Sequence, residues 1–216
     1  MDFLKYKNMV GAFHQPRMVY MNVSTLCTLP LEQVFPAVWG EVVKHGFIRD
    51  ASYSRWLYEN RAKILALDTD TLSEMICRSC VIKKTVVEND PTEQGERAVL
   101  NMGHTVGHAV EKLKDFRLLH GQCVAVGTVA SAYLSMRRGM ITVEEYENVK
   151  QLLEAFGLPV STDGLRAEEV LSVTKSDKKM EQGRIKFILM KEPGYAVVDK
   201  TVTDEELLTA IREILE

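Results

Sequence analysis

What the sequence lacks narrows the field first. No apolar run approaches the roughly 20 residues that a membrane-spanning helix needs. The opening residues MDFLKYKN carry no apolar h-region, so no secretion leader is expected there. There is no surplus of positive charge. The 27 Lys and Arg stand against 30 Asp and Glu, a net charge of -3, which gives no electrostatic case for nucleic acid as a partner. Cysteine is sparse. Cys77 and Cys80 form one C-x2-C pair, but Cys27 and Cys123 do not supply a second, so a closed structural zinc site is not expected. Reduced thiols in a cytoplasmic protein fit this usage best. Low-complexity segments, repeats, the G-x-G-x-x-G of dinucleotide-binding folds and the HExxH of metalloproteases are also missing.

What remains is an ordinary soluble composition: 216 residues, 46% hydrophobic and 26% charged, enough to build a real core. The periodicity is mostly helical. Residues 17–23 (RMVYMNV) alternate like a strand, the lone strand signal of the first half, and a lone strand cannot satisfy its own backbone. Ser24 or Thr25 then caps a turn. Helices are expected over residues 34–47, closed by Gly46, and over 51–66 and 70–87. Residues 88–96 (ENDPTEQGE) form a turn-rich loop. Residues 121–136 are apolar nearly all round and read as the buried central helix of a bundle. A capping box at Thr142 and Glu145 starts another helix, ended by Gly157 and Pro159, and residues 165–174 form a shorter one. Residues 184–190 and 195–199 answer each other across KEPG as a β-hairpin, and Thr203 with Glu206 caps a last helix.

Chemistry concentrates in residues 97–120, RAVLNMGHTVGHAVEKLKDFRLLH. Three of the five histidines lie here. His104 and His108 are four apart, so on a helix both rings share one face. Arg97, Asn101, His104 and His108 recur at steps of four, three and four, one polar stripe if the helix is unbroken. Such a stripe among apolar neighbours is costly to bury unless each group has a partner. A surface pair, or two satisfied core histidines, is the plain alternative. The sharper one is a metal site, since neutral imidazoles suit zinc. Glu41 and Lys44, three apart in VWGEVVKHG, allow the same two readings: a local ion pair, or a carboxylate kept ionised for a metal. Lys83 and Lys84 lie near a helix end, where cations suit the dipole, and most such lysines are simply solvated; the loop lysines Lys178 and Lys179 could be solvated or could hold a phosphate or carboxylate.

Four separated motifs carry a family resemblance. They are KNMVGAFHQP (7–16), GEVVKHG (40–46), KKTVVENDPTEQGERAVLNMGHTVGHAVE (83–111) with HGQ (120–122), and DKKMEQGRIKFIL (177–189). In order and spacing they resemble 3-dehydroquinate synthase, a sugar-phosphate cyclase family, and between them they span nearly the whole chain. The resemblance implies a mainly α fold: the helical-bundle C-terminal domain of that family, with the small β-hairpin near 184–199 and the orphan strand near 17–23. It implies that residues 1–30 are a remnant of a nucleotide-binding domain and linker. Residues 31–216 would be the metal- and substrate-binding domain.

Position by position, Glu41, His104 and His120 match the family's metal ligands, for Zn2+ or Co2+. Lys44, Lys83, Arg97, Asn101 and His108 match substrate-binding residues. Lys178 or Lys179, with Lys178 favoured, matches another. Lys7 and the turn Thr25, Leu26, Cys27, Thr28 match places that touch NAD, most of whose contacts belong to a preceding domain not seen here. The implied partners are a small sugar phosphate and a second copy of the chain, with neither nucleic acid nor membrane.

Two departures stand out. The chain starts just short of the first motif, and VFPAVWGE before Glu41 is about one residue longer than the family pattern, with a bulky Val38. Three functions follow as alternatives: the domain of a dehydroquinate synthase, inactive alone; a related cyclase acting on another sugar phosphate; or a metal- or anion-binding helical module without turnover.

Overall fold

The structure is a computed structural model that describes residues 11, 14, 17–28, 31–92, 95–176, 180–181 and 184–216. Its architecture is a helical bundle with a small antiparallel hairpin packed on one side. After a 3-10 turn, Val23–Thr28, come α1 (Leu31–Arg49), α2 (Ala51–Leu65) and α3 (Thr69–Asn89). A second 3-10 turn, Glu96–Asn101, leads into α4 (His104–Leu113). Then follow α5 (His120–Arg137), α6 (Val143–Ala155) and α7 (Ala167–Ser176). The short pair β1 (Met180–Glu181) and β2 (Arg184–Ile185) precedes the hairpin β3 (Phe187–Glu192) and β4 (Tyr195–Asp199), and α8 (Asp204–Glu213) closes the chain.

Helix α5 is the axis. Its small and β-branched side chains, Cys123 to Ala132, are buried all round, as a helix surrounded by others must be. Helices α1, α4, α6 and α8 and strand β3 all pack on it. Two close approaches set this geometry. A Cβ on Gly40 of α1 would lie 2.1 Å from the Gly121 carbonyl oxygen of α5, and one on Gly127 would lie 1.9 Å from that of Gly103. The backbones therefore touch where side chains are absent. Around this seam the core fills with Trp39, Ile48, Tyr53, Leu57, Met75, Met102, Leu153, Phe187 and Leu189.

The caps obey local chemistry. Asp50 and Asp68 accept the backbone N–H groups of Tyr53 and Thr71, and Thr142–Glu145 and Thr203–Glu206 form the two expected capping boxes. The hairpin has the expected partners, Phe187 opposite Asp199 and Leu189 opposite Val197. Its first strand begins later than the alternation suggested, because Arg184 and Ile185 pair instead with Glu181 and Met180.

Four expectations need correction. Residues 17–22 are not a strand: no ladder partner exists for them among the described residues, and Met18, Val19, Tyr20 and Met21 are exposed. Neither Ser24 nor Thr25 caps the turn that follows. Asn22 does, its side chain accepting the Ser24 N–H at 3.2 Å. Gly46 does not end α1, which runs on to Arg49; a Cβ there would lie 2.2 Å from Ser54 Oγ, so the glycine serves the α1–α2 contact. The unbroken helix that a single stripe from Arg97 to His108 requires is not formed. Gly103 adopts φ +78, pressed against the Val124 carbonyl of α5, and this left-handed residue stops the 3-10 turn and resets the helix at His104.

Candidate metal and substrate site

Three elements place the site. Glu41 follows Gly40 on α1, His104 follows Gly103 at the start of α4, and His120 precedes Gly121 at the start of α5. The glycine contacts that draw the three backbones together therefore draw these side chains together. Nε2 of His104 lies 3.2 Å from Glu41 Oε1, and Nε2 of His120 lies 3.5 Å from the same oxygen. His108, one turn along α4, completes a cluster in which one ring nitrogen from each histidine lies within 4.8 Å of the others. Ring centroids are separated by 5.1 Å (His104–His108), 5.3 Å (His104–His120) and 5.7 Å (His108–His120).

The second nitrogens show which way the lone pairs point. His104 Nδ1 is 3.1 Å from the Met102 carbonyl oxygen, which can only accept, so Nδ1 carries the proton. In the neutral ring Nε2 is then a bare lone pair directed at Glu41. That carboxylate's Oε1 is buried and accepts no well-directed hydrogen bond. Its other oxygen, Oε2, accepts from Lys44 Nζ at 2.6 Å, and the same ammonium donates to the Leu100 carbonyl at 2.5 Å. Lys44 is only 1% exposed, so this ion pair is a fixed part of the floor.

Burial alone would raise the pKa of Glu41. In the metal-free chain, where His104 and His120 can carry a second proton and donate it to the carboxylate, those hydrogen bonds and the charge of Lys44 outweigh it and hold the carboxyl far below its usual range. Proximity to Glu41 raises the pKa of His120, burial opposes this, and the charge of Glu111 adds to it. An ionised, orphaned carboxylate oxygen facing imidazole lone pairs is a donor set that wants a cation. The chemistry of these residues fits zinc or cobalt.

The other sequence candidates are less tightly gathered. Arg97 is half-buried; its N–H donates to Asp90 at 3.0 Å and its guanidinium to the Pro91 carbonyl at 2.9 Å, which points it along the loop. Asn101 ends the 3-10 turn just before Gly103. With the helix broken, these two no longer share a stripe with the histidines. Lys83 is exposed on α3, though its charge reaches His45 on α1. Thr25, Leu26, Cys27 and Thr28 form the first 3-10 turn, where the Thr25 and Thr28 hydroxyls donate to the Asn22 and Thr25 carbonyls. Lys7, Lys178 and Lys179 lie outside the described residues. One group that the sequence reading missed is Glu111 on α4, a buried carboxylate with Oε2 3.5 Å from His120 Nδ1. Its signal was present: Glu111 stands seven residues after His104 and three after His108, on the same helical face.

Comparison with known proteins bears on what this site is. A family model described as 3-dehydroquinate synthase C-terminal matches residues 39–180, and one described as 3-dehydroquinate synthase N-terminal matches residues 1–35. The chain belongs to the 3-dehydroquinate synthase family. A 3-dehydroquinate synthase of Ruminiclostridium cellulolyticum is 40% identical over 210 residues, covering 97% of this chain and 58% of that protein. One from Xylella fastidiosa strain M12 is 42% identical over 221 residues, covering 99% and 58%. The chain thus spans 58% of the length of these curated relatives.

Among solved structures, the 2-epi-5-epi-valiolone synthase of Streptomyces hygroscopicus subsp. jinggangensis, with NAD+ and Zn2+ bound, superposes with a TM-score of 0.86 at 21% identity. That match covers 96% of this chain and 58% of that one. A 2-deoxy-scyllo-inosose synthase complexed with carbaglucose-6-phosphate, NAD+ and Co2+ gives 0.81 at 22% identity, covering 97% and 60%. These two superpositions show that the chain shares the fold of those two proteins.

Proposed function

We propose that this chain is the metal- and substrate-binding part of a 3-dehydroquinate synthase. In that reaction, a step of aromatic amino acid biosynthesis through the shikimate pathway, 3-deoxy-D-arabino-heptulosonate 7-phosphate becomes 3-dehydroquinate and phosphate. The observation that carries the reading is the orphaned Glu41 oxygen facing Nε2 of His104 and of His120 in a chain of this family. The alternative of a cyclase for another sugar phosphate has less support, since relatives named dehydroquinate synthase are about twice as similar in sequence as the solved cyclases.

In this reading Glu41, His104 and His120 hold a divalent zinc or cobalt ion, which would supply Lewis acidity toward the substrate's vicinal hydroxyls. Lys44 keeps Glu41 ionised, and its buried ammonium stands beside the place where substrate oxygens arrive. His108 borders the cluster and is assigned to the substrate. Lys83, Arg97, Asn101 and Lys178 are assigned to the carboxylate and phosphate of the substrate. The 3-10 turn Val23–Thr28 offers hydroxyls but no glycine-rich cradle, so the described residues do not make a dinucleotide site by themselves. NAD is held mainly outside them, and the chain by itself is expected to bind without turnover.

The test is metal content of the purified chain by elemental analysis. About one zinc per chain is expected, lost in His104→Ala and retained in His108→Ala. A folded chain that takes up no zinc overturns the ligand assignment. Sustained phosphate release on adding NAD and the heptulosonate phosphate overturns the expected lack of turnover.

A further inference from the structure

The geometry points to Glu111 as a positioning residue that accepts Nδ1–H of His120 and so fixes that ring with Nε2 facing Glu41 and His104. The inference rests on the metal reading above and extends it beyond the ligands.

The argument starts from cost. The Glu111 side chain is only 11% exposed. A carboxylate withdrawn this far from water must be compensated by charge or hydrogen bonds. It lies on the face of α4 that carries His104 and His108, and its Oε2 reaches across to Nδ1 of His120, the first residue of α5. Its negative charge also lies beside the N-terminal end of α5, where the helix dipole favours it.

His120 needs such an anchor more than His104 does. His104 begins a helix whose preceding backbone turns back to hold it through the Met102 carbonyl. His120 begins its helix with a side chain that is 41% exposed, free to turn about χ2 unless something holds the far nitrogen. Glu111 is the described side chain that does so. Both rings then share one arrangement, Nδ1 tied back and Nε2 aimed at Glu41 Oε1. One tie is backbone, which mutation cannot reach; the other is a side chain, which it can. A carboxylate on the second nitrogen of a ligating imidazole fixes the tautomer and strengthens the ligand.

Two measurements on the 216-residue chain test this. The first is zinc affinity by chelator competition for wild type, Glu111→Gln, Glu111→Met, Glu111→Ala and Glu111→Asp. Glu111→Ala is expected to bind about 10- to 100-fold more weakly, Glu111→Gln less so because it keeps an acceptor oxygen, and Glu111→Asp still less. The second needs no metal. Long-range nitrogen–proton NMR at mildly alkaline pH, with the ring neutral and Glu41→Gln in both proteins so that no second carboxylate competes for the ring proton, is expected to show His120 as the Nδ1–H tautomer when Glu111 is present and shifted toward Nε2–H when Glu111→Ala is added. A merely structural side chain would move neither the affinity nor the tautomer in Glu111→Met, which is close in size and has no oxygen to accept Nδ1–H. Affinities within twofold of wild type, with the tautomer unchanged, overturn the inference. If the wild-type chain takes up no zinc, the metal reading fails, and the tautomer still decides the role of Glu111. Should Glu111→Ala not fold, Glu111→Met carries both readouts.

Discussion

Helix α5 carries a charged cluster at each end, and the two are built on opposite plans. At its C-terminal end Arg138 donates to both oxygens of Glu206 at 2.7 and 2.8 Å, to Asp199 at 3.0 Å and to Thr201 Oγ1 at 3.2 Å. Glu206 in turn accepts from the Thr203 backbone as a capping residue. Each carboxylate there has a matched donor, and the guanidinium uses its planar fork bidentately. At the N-terminal end Glu41, His104, His108 and His120 converge with an unpartnered buried oxygen among them. A group of donors without a shared proton or cation is a poor way to stabilise a fold. It persists because glycine contacts, the Lys44 pair and core packing hold it from outside. One end closes the structure by joining α5, α8 and the hairpin, while the other leaves a chemical demand for a ligand to meet.

The largest expected effect tests whether packing holds the site end. Gly127→Ala would push a methyl into the Gly103 carbonyl. It should cost about 3 kcal/mol or more in urea unfolding, despite the ~1 kcal/mol by which alanine is the better helix former. Equal or greater stability would mean that the α4–α5 contact is loose, and the contrast between the two ends would fail.

The pH dependence of the site end comes next. His45, on α1 beside Lys44, is buried with Nδ1 2.7 Å from Ser79 Oγ. Burial, aided by the charges of Lys44 and Lys83, lowers its pKa from 6.5 to about 4. The unfolded chain binds that proton more readily. Stability is therefore full above pH 6.5 and is lost as pH falls toward 4, by about 3 kcal/mol from this group. Wild type minus His45→Gln, followed by denaturant midpoints across that window, should show the slope; parallel curves would remove His45 as its source.

Zinc should sharpen the contrast further. At a free concentration about 100 times its dissociation constant, it should stabilise wild type by about 2.7 kcal/mol and leave His104→Ala unmoved. A shift of the same size in both proteins would place the metal elsewhere. Arg138→Ala should cost about 2 kcal/mol by leaving two carboxylates unmatched, less than for a fully buried pair because Glu206 is a third exposed. The guanidinium beside Glu206, against the opposing pull of burial, holds that carboxyl at about 2. The stability it gives is present above the ordinary glutamate value near 4.5 and lost as pH falls toward 2. The acid-side slope should flatten in Arg138→Ala, and an unchanged slope would show that this network is decorative. Thr142→Ala touches neither end and removes one cap of α6. About 1 kcal/mol is expected, visible as a small drop in thermal midpoint without any change in zinc uptake. A loss of zinc uptake would show that the two ends are coupled through α6.

The sequence by itself determined much of this protein. The helical periods, the all-round apolar α5, the Thr142 and Thr203 capping boxes and the hairpin are short-range signals, set by side chains a few residues apart. The family was legible from four motifs, and with it the identity of Glu41, His104 and His120 as a candidate set. Tertiary structure decided the rest. The apparent stripe from Arg97 to His108 dissolved because Gly103 meets the Val124 carbonyl and takes a left-handed turn that local pattern cannot foresee. The alternation over residues 17–22 did not make a strand, because a strand exists only through a partner. Glu111 gained its partner only when α5 folded back over α4. The meeting of Glu41 with His120 depends on Gly40 touching Gly121, 81 positions along the chain. Each of the three candidate ligands has a glycine as its neighbour in sequence, which a reading confined to helical periods passes over. A ligand set is a statement about distances, and those distances are fixed by where backbones can approach, a property of the packed chain and not of any one segment.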